Sequence, residues 1–506
     1  MRIRIPKKYQ ARLSKVYLDC AEMLPRFGGG PISTLQLHRE HQREDAEDTY
    51  QRTRLPEGIK VQYLFFRLFE LFQIEDFEQL QKLLGIFPPR DIDSENDNLS
   101  RQLREQAKRI SGGAWWNIGT LTRDGRWFGI RQATLKPSLP EEVDRIDVGA
   151  FQLMPSIFVV TFDVCLNEKA TAKLSRSHDR RYLPEIRFAE LIPSGFMARS
   201  AKMADDVMSE EIFHWFEELR GKVENCLKPY ANDYFMQHSS ARIARLPAFE
   251  VFVVKGVGEM KNGLSEWLRE SHMWLRSFGF DPGFLTYTNE EVVLLPSEDS
   301  LWWNKSAKSP HRLIILWEPY ANAKGKDGNN RTNGSVIHHT QFLLSDILPF
   351  FAVLEFLGFV QRRIEDLRQR VFRQVNSGWF KKILLGPQTG LNDRILQESF
   401  LLDRLITEFR QHESFISRME RFSEDAARLK SLQASAEGVQ RSLKDDLHET
   451  TKHRMQMLRE NATLIKDWFS QYSALRTTEA TSWMTLILVI LTVVLVWLTY
   501  ELAQPH

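Results

Sequence analysis

Residues 480–500 read ATSWMTLILVILTVVLVWLTY. None of these 21 positions is Asp, Glu, Lys or Arg, and as a helix rising ~1.5 Å per residue they would reach about 31 Å, the hydrocarbon thickness of a bilayer. One transmembrane helix is therefore expected here. Trp483 lies near its start and Trp497 and Tyr500 near its end, where amphipathic rings favour the two membrane interfaces. Thr485, Thr492 and Thr499 recur every seventh position. Seven residues fall only about 20° short of two helical turns, so the three hydroxyls share one face. That face can be a helix interface or line a narrow polar path. It can also be lipid-facing, each threonine bonding back to a carbonyl of its own helix.

Outward from this span, Arg459, Lys466 and Arg476 lie on its N-terminal side, while residues 501–506 contain no Lys or Arg. The positive-inside rule then places the body in the cytoplasm, and a bacterial inner membrane is the expected location. No apolar signal-peptide core follows the basic N-terminus. Just before the span, Leu429, Leu432, Ala436, Val439 and Leu443, then Leu458, Ala462, Ile465, Phe469 and Tyr472, step by three and four like the a and d positions of a coiled coil. Four-residue steps around Leu447 and Met455 unwind such a seam locally without breaking it. A stalk over 429–479 is expected, with these residues driving oligomerisation.

Further back, Phe342 to Val360 is strongly apolar but carries Asp346, Pro349 and Glu355. A charge in mid-bilayer costs at least ~2.5 kcal/mol on insertion scales, so a buried helix is preferred to a second span. Residues 321–335 are polar and glycine-rich and read as a flexible loop. From Gly112 to Tyr320 the pattern is mixed. Trp115–Leu121 and Arg126–Leu135, either side of Asp124-Gly125, read as a β-hairpin. Ser156–Leu166, Phe249–Val254, Phe284–Thr288, Glu291–Leu295 and Arg312–Trp317 read as strands, and Glu210–Leu227 and Leu264–Phe278 as helices. Within 1–111, Lys60–Leu84 reads as a helix, with Leu64, Leu68, Leu71 and Phe72 at helical spacing.

The expected fold is α+β. It comprises an N-terminal helical region (1–111), a mixed α/β cytoplasmic domain (112–320), a loop (321–335), a helical bundle (336–428), a coiled-coil stalk (429–479), a transmembrane helix (480–500) and a short tail (501–506).

Chemistry is harder to read. Lys+Arg 68 against Asp+Glu 66 gives a net charge of +2, so charge selects no partner and nucleic acid is not expected. Cys20, Cys165 and Cys226 sit apart among apolar neighbours and read as buried thiols. His38 with His41, and His448 with His453, lack companions at metal-ligand spacing, and 91–102 lacks the glycine and glutamate of a calcium loop. No catalytic motif stands out, and neither a metal nor a cofactor is expected. Trp115-Trp116 and Trp302-Trp303 could stack on a ligand, although packing is the commoner role.

Two stretches, LSDILPFFAVLEFLGFVQRRIEDLRQR (344–370) and Met457 to Leu495, resemble the corresponding parts of the CorA-type magnesium transporters. The resemblance lies in the order of parts: a mixed α/β domain, antiparallel helices and a long helix entering the membrane. That family has a second membrane helix and a Gly-Met-Asn loop, and neither is found in this sequence. What the resemblance implies is a homo-oligomeric ring of parallel stalk helices, a pentamer, coupled to a cytoplasmic sensing domain and open to ion conduction or membrane perturbation. Two other readings stand beside it: a membrane-tethered scaffold or sensor whose α/β domain binds a protein or small ligand, and a membrane-held enzyme. The lipid bilayer is a partner in all three.

Overall fold

The computed structural model describes residues 3–4, 54–73, 77–87, 115–123, 132–135, 138–154, 156–178, 185–192, 195–202, 204–231, 246–258, 263–278, 286–297, 310–324, 333–375, 424–434 and 440–502, with short pieces beside them. Among these, the strands are β1 (Ile3–Arg4), β2 (Lys60–Gln73), β3 (Trp115–Thr122), β4 (Gln132–Thr134), β5 (Val143–Met154), β6 (Ile157–Leu166), β7 (Glu185–Ile192), β8 (Gly195–Lys202), β9 (Ala248–Lys255), β10 (Tyr287–Thr288), β11 (Val292–Leu295), β12 (His311–Leu316), β13 (Lys430–Ala434) and β14 (Gln440–Ser442). The helices are α1 (Phe77–Leu84), α2 (Glu168–His178), α3 (Ala204–Leu227), α4 (Leu264–Glu270), α5 (His272–Leu275), α6 (Trp317–Lys324), α7 (Asn333–Val375), α8 (Glu424–Ala427) and α9 (Leu443–Leu502).

Eleven of the described strands form one sheet, in the order β14-β13-β10-β11-β12-β9-β2-β6-β5-β3-β4. β9 with β12 and β3 with β4 are parallel; the other neighbours are antiparallel. A mixed sheet with helices makes the fold α+β. β2 is central, paired with β9 on one side and β6 on the other.

The helix expected over Lys60–Leu84 is thus corrected: residues 60–73 are a strand, and only Phe77–Leu84 is helical. The reason lies in burial. A strand with both faces covered loses the two-residue alternation that marks a half-buried one, and an apolar run then fits either period. Its aromatics, Tyr63, Phe65, Phe66, Phe69 and Phe72, suit the pleated surface and are all nearly inaccessible. Where β9 stops at Ala248, the backbone N–H of Leu71 donates to the carboxylate of Glu70 at 2.8 Å, and Phe235 N–H to the same oxygen at 2.7 Å. A buried donor left over by the ladder is satisfied by a side chain.

One sheet face meets α2 and α3. Tyr63 Oη lies 3.1 Å from His178 Nε2, Ser175 Oγ donates to Val61 O, and the Phe216 ring packs on Tyr63 and Phe66. Phe216, Leu219 and Val223 are buried as their spacing predicts, and Trp215 is half-buried. The opposite face meets the first half of α7, where Phe351 packs edge-on against Phe249 and His311.

Three further expectations change. β3 and β4 are adjacent but parallel, so they are not a hairpin; a tight turn cannot join parallel neighbours. Residues 321–324 and 333–335 of the expected loop are helical, in α6 and α7. The seam read from Leu429 does not begin on a helix. Leu429 precedes β13, Leu432 lies within it, Val439 falls outside the described residues, and α9 starts only at Leu443. The three-and-four steps there coincide with a strand pair: β13 runs antiparallel to β14, and Leu443 N–H donates to Leu429 O at 2.9 Å. Strands β6, β9, β11 and β12 and helix α3 lie where the sequence places them.

The chain forms two compact units, Met1–Ala352 with Ser417–Leu447, and Val353–Ile416 with His448–His506. In the second, Arg454 of α9 is buried and donates to Leu354 O of α7 at 3.2 Å, close to Gly358. Leu458, expected in an intermolecular seam, is buried within its own chain at 1% exposure.

Burial pushes the His178 imidazole from its ordinary 6.5 down to about 4. The unfolded chain therefore takes up a proton near pH 6.5 that the folded chain refuses until about pH 4, and stability falls with pH across that window. The expected loss is roughly 3 kcal/mol, flat below it. Urea midpoints measured across the window should fall less steeply in His178→Asn than in the parent chain.

Candidate functional site

The register of the sheet places six residues in one row across six strands: Thr120, Asp147, Asp163, Arg67, Phe249 and His311, on β3, β5, β6, β2, β9 and β12. Directly opposed residues share a face. In this row that face lies beneath α7, where Arg67 Nη1 donates to Ser345 Oγ at 3.2 Å and Nη2 to Gln341 O at 3.3 Å. At its centre Arg67 grips Asp163 with two parallel bonds, Nε to Oδ1 at 2.5 Å and Nη2 to Oδ2 at 2.7 Å, the side chains 2% and 6% exposed. Asp147 accepts from Thr120 Oγ1 at 3.0 Å and Arg145 Nε at 3.2 Å. At the far end, Ser297 N–H donates to His311 Nδ1 at 2.9 Å, so that nitrogen carries no proton.

The row is built for position rather than reaction. Arg67 spends its fork on a carboxylate and its remaining donors on α7, and a guanidinium has no proton to give near neutrality. Burial pushes the neighbouring Cys165 thiol well above its usual range, which removes it as a nucleophile. What remains is a polar key that fixes where α7 sits along the sheet.

On the other face, Arg312 Nε donates to Glu250 Oε2 at 3.0 Å, and burial raises the Tyr63 phenol well above its ordinary value. With His178 neutral at pH 7, the Tyr63–His178 pair is a neutral hydrogen bond inside an aromatic cluster that includes Phe252 and Phe278. Among the described residues no three His, Cys, Asp or Glu side chains are placed to share a metal ion.

The residues singled out near the end of the chain lie on α9. From Ile487 to Val496 every apolar side chain is exposed, Val494 least at 44% and Val496 most at 64%. Thr485 Oγ1 donates to Thr481 O and Thr492 Oγ1 to Leu488 O, each at 2.7 Å. Both hydroxyls are thus satisfied by their own helix, the arrangement that lets threonine face hydrocarbon. Thr499, Trp483, Trp497 and Tyr500 lie on the same helix, as do Ile465, Phe469 and Tyr472, but their side chains fall outside the described residues.

By length and apolarity, the one helix among the described residues able to cross a bilayer is Val336–Arg362 in α7, and 72% of its most apolar stretch is buried inside the protein. In α9 the corresponding described run is Ile487–Val496. Environment separates them. Leu344, Ile347, Leu348 and Phe351 of α7 are core residues at 0% exposure, whereas the run in α9 touches little of its own chain.

Sequence reasoning missed the Arg67–Asp163 pair because it read Lys60–Gln73 as helix. A signal was present: YLFFRLFELF and FVVTFDVCL each carry isolated charges in apolar surroundings, and a buried charge demands a partner. Removing one partner leaves the other uncompensated, so Arg67→Met is expected to cost about 3–5 kcal/mol in chemical denaturation. Adding Asp163→Leu should recover most of that loss in a double-mutant cycle.

No protein-family model, curated protein or solved structure matches this chain.

Proposed function

We propose that this is a membrane-anchored binding protein, held to the bilayer by α9 crossing at residues 480–500, whose α+β body meets its partner at the membrane surface. The observation that carries this reading is the exposure of every apolar side chain from Ile487 to Val496, all around the helix. Each such side chain would gain about 1.5–3 kcal/mol on leaving water, and soluble surfaces do not carry an apolar cylinder of this kind. Lipid supplies the missing environment. The back-bonded hydroxyls of Thr485 and Thr492 support a helix that needs no polar neighbour. Arg459, Lys466 and Arg476 favour a body on the cytoplasmic side. Burial of α7 supports a single pass.

A second reading, a homo-oligomer of CorA-like architecture, is favoured by the order of parts: a mixed-sheet domain, then helices of 43 and 60 residues. The mass of the detergent-solubilised protein decides between them, since a monomer removes the ring and with it any pore between copies.

The anchor is tested by membrane fractionation. The full chain should stay in the membrane pellet through alkaline carbonate, and a chain lacking residues 480–500 should be soluble. A Val489→Arg, Val493→Arg pair should shift much of the protein to the soluble fraction, each arginine costing about 2.5–3.5 kcal/mol near mid-bilayer. Full membrane retention of the deleted chain would place the anchor elsewhere.

A further inference from the structure

The chain leaves β9 as Lys255-Gly256-Val257-Gly258, beside the end of the parallel strand β12, which passes directly into α6. In open α/β sheets, ligands are commonly held in the crevice outside the carboxyl ends of parallel strands, the end at which β9 and β12 both finish here. Gly256 and Gly258 are in the left-handed region, with φ of 85° and 66°. A Cβ on Gly256 would lie 2.2 Å from the carbonyl oxygen of Gly58, so the backbone passes there only as glycine. This conformation directs two consecutive N–H groups at one group. Gly256 N–H donates to Glu318 Oε1 at 2.6 Å and Val257 N–H to Glu318 Oε2 at 3.1 Å. One oxygen for each of two successive amides is how a backbone nest grips an oxyanion. Gly256 and Gly258 are exposed, and Glu318 is half-buried. The ammonium of Lys255, which precedes Gly256, lies 4.6 Å from the centre of the ring of Trp317, which precedes Glu318.

We propose that the Gly256–Val257 nest is a phosphoryl-binding site, occupied in this state by the chain's own Glu318 carboxylate, and that a phosphate-bearing ligand binds by displacing Glu318. The carboxylate shows that the two amides are aimed to hold a pair of anionic oxygens. It sits at the end of a side chain in the first turn of α6, so rotation about its own torsions vacates the nest without moving the strand. A phosphoryl group brings three strong acceptor oxygens and greater charge, and Lys255, the residue before Gly256, brings a cation to the same stretch of chain. Glu318 then acts as a built-in competitor that sets the ligand concentration needed. This inference does not depend on α9 crossing a membrane.

The test is calorimetric titration of the full chain in detergent with inorganic phosphate, with chloride at matched ionic strength as control. Glu318→Ala should bind phosphate at least about tenfold more tightly than the parent chain. Lys255→Ala added to that variant should lose about tenfold again. Repeating the titration with AMP separates a nucleotide from free phosphate, since a nucleotide ligand binds more tightly than its phosphate alone. Glu318→Gln, which keeps the side-chain volume and removes the charge, should shift in the same direction and serves if the alanine variant fails to fold. A folded Glu318→Ala or Glu318→Gln chain that binds phosphate no more tightly than the parent overturns the proposal. So does failure of both variants to fold, which makes Glu318 a strap tying α6 to β9.

Discussion

The middle of β2, Tyr63 to Phe72, has no side that water can reach. Between β6 and β9 the backbone of residues 65–68 is paired along both edges, and the side chains from Tyr63 to Phe72 are covered above and below. Any charge it carries must be matched inside the protein. Arg67 is matched by Asp163 on the neighbouring strand, and the guanidinium that remains fixes Ser345 and Gln341 of α7. The position of α7 on the sheet, the burial of its apolar face and the placing of His311 beneath Phe351 all follow from this one pair and its register. Such a pair adds little net stability, because desolvation offsets most of the attraction, but it makes every other register costly.

The legible parts of the fold were those whose burial differs between faces or whose type is unambiguous. β6, β9 and β12 are rich in β-branched and aromatic residues and each follows closely on a proline, and α3 carries a one-sided stripe. β2 was misread because double burial erases the period, and Leu429 to Leu443 because steps of three and four can be met by chance in a strand pair. The parallel pairing of β3 with β4 has no local signature, since it is fixed by strands distant in sequence. The nest at Gly256 was also missed. Its glycines follow a strand, but the group they hold, Glu318, comes from another element and no spacing rule connects the two.

α7 and α9 show that apolarity alone does not assign an environment. Both carry long hydrophobic runs, yet α7 includes Asp346, Pro349 and Glu355 and most of its apolar stretch is buried, while residues 480–500 carry no charge and their run from Ile487 to Val496 is exposed. A few polar residues decide the matter. Each is tolerable inside a protein that supplies partners and expensive inside a bilayer that does not.

The order of strands in the sheet has a consequence for how the protein is made. β2 is synthesised early, β9 much later, and β13 and β14 just ahead of the helix that carries the apolar run. Contacts of such long sequence separation form slowly and leave hydrophobic surface exposed in the interval. The strands at one edge of the sheet, β13 and β14, are thus added only after nearly all the others have been made, so that edge of the body is completed late. Until they arrive, β10 keeps an unpaired edge that a second copy of the chain could claim.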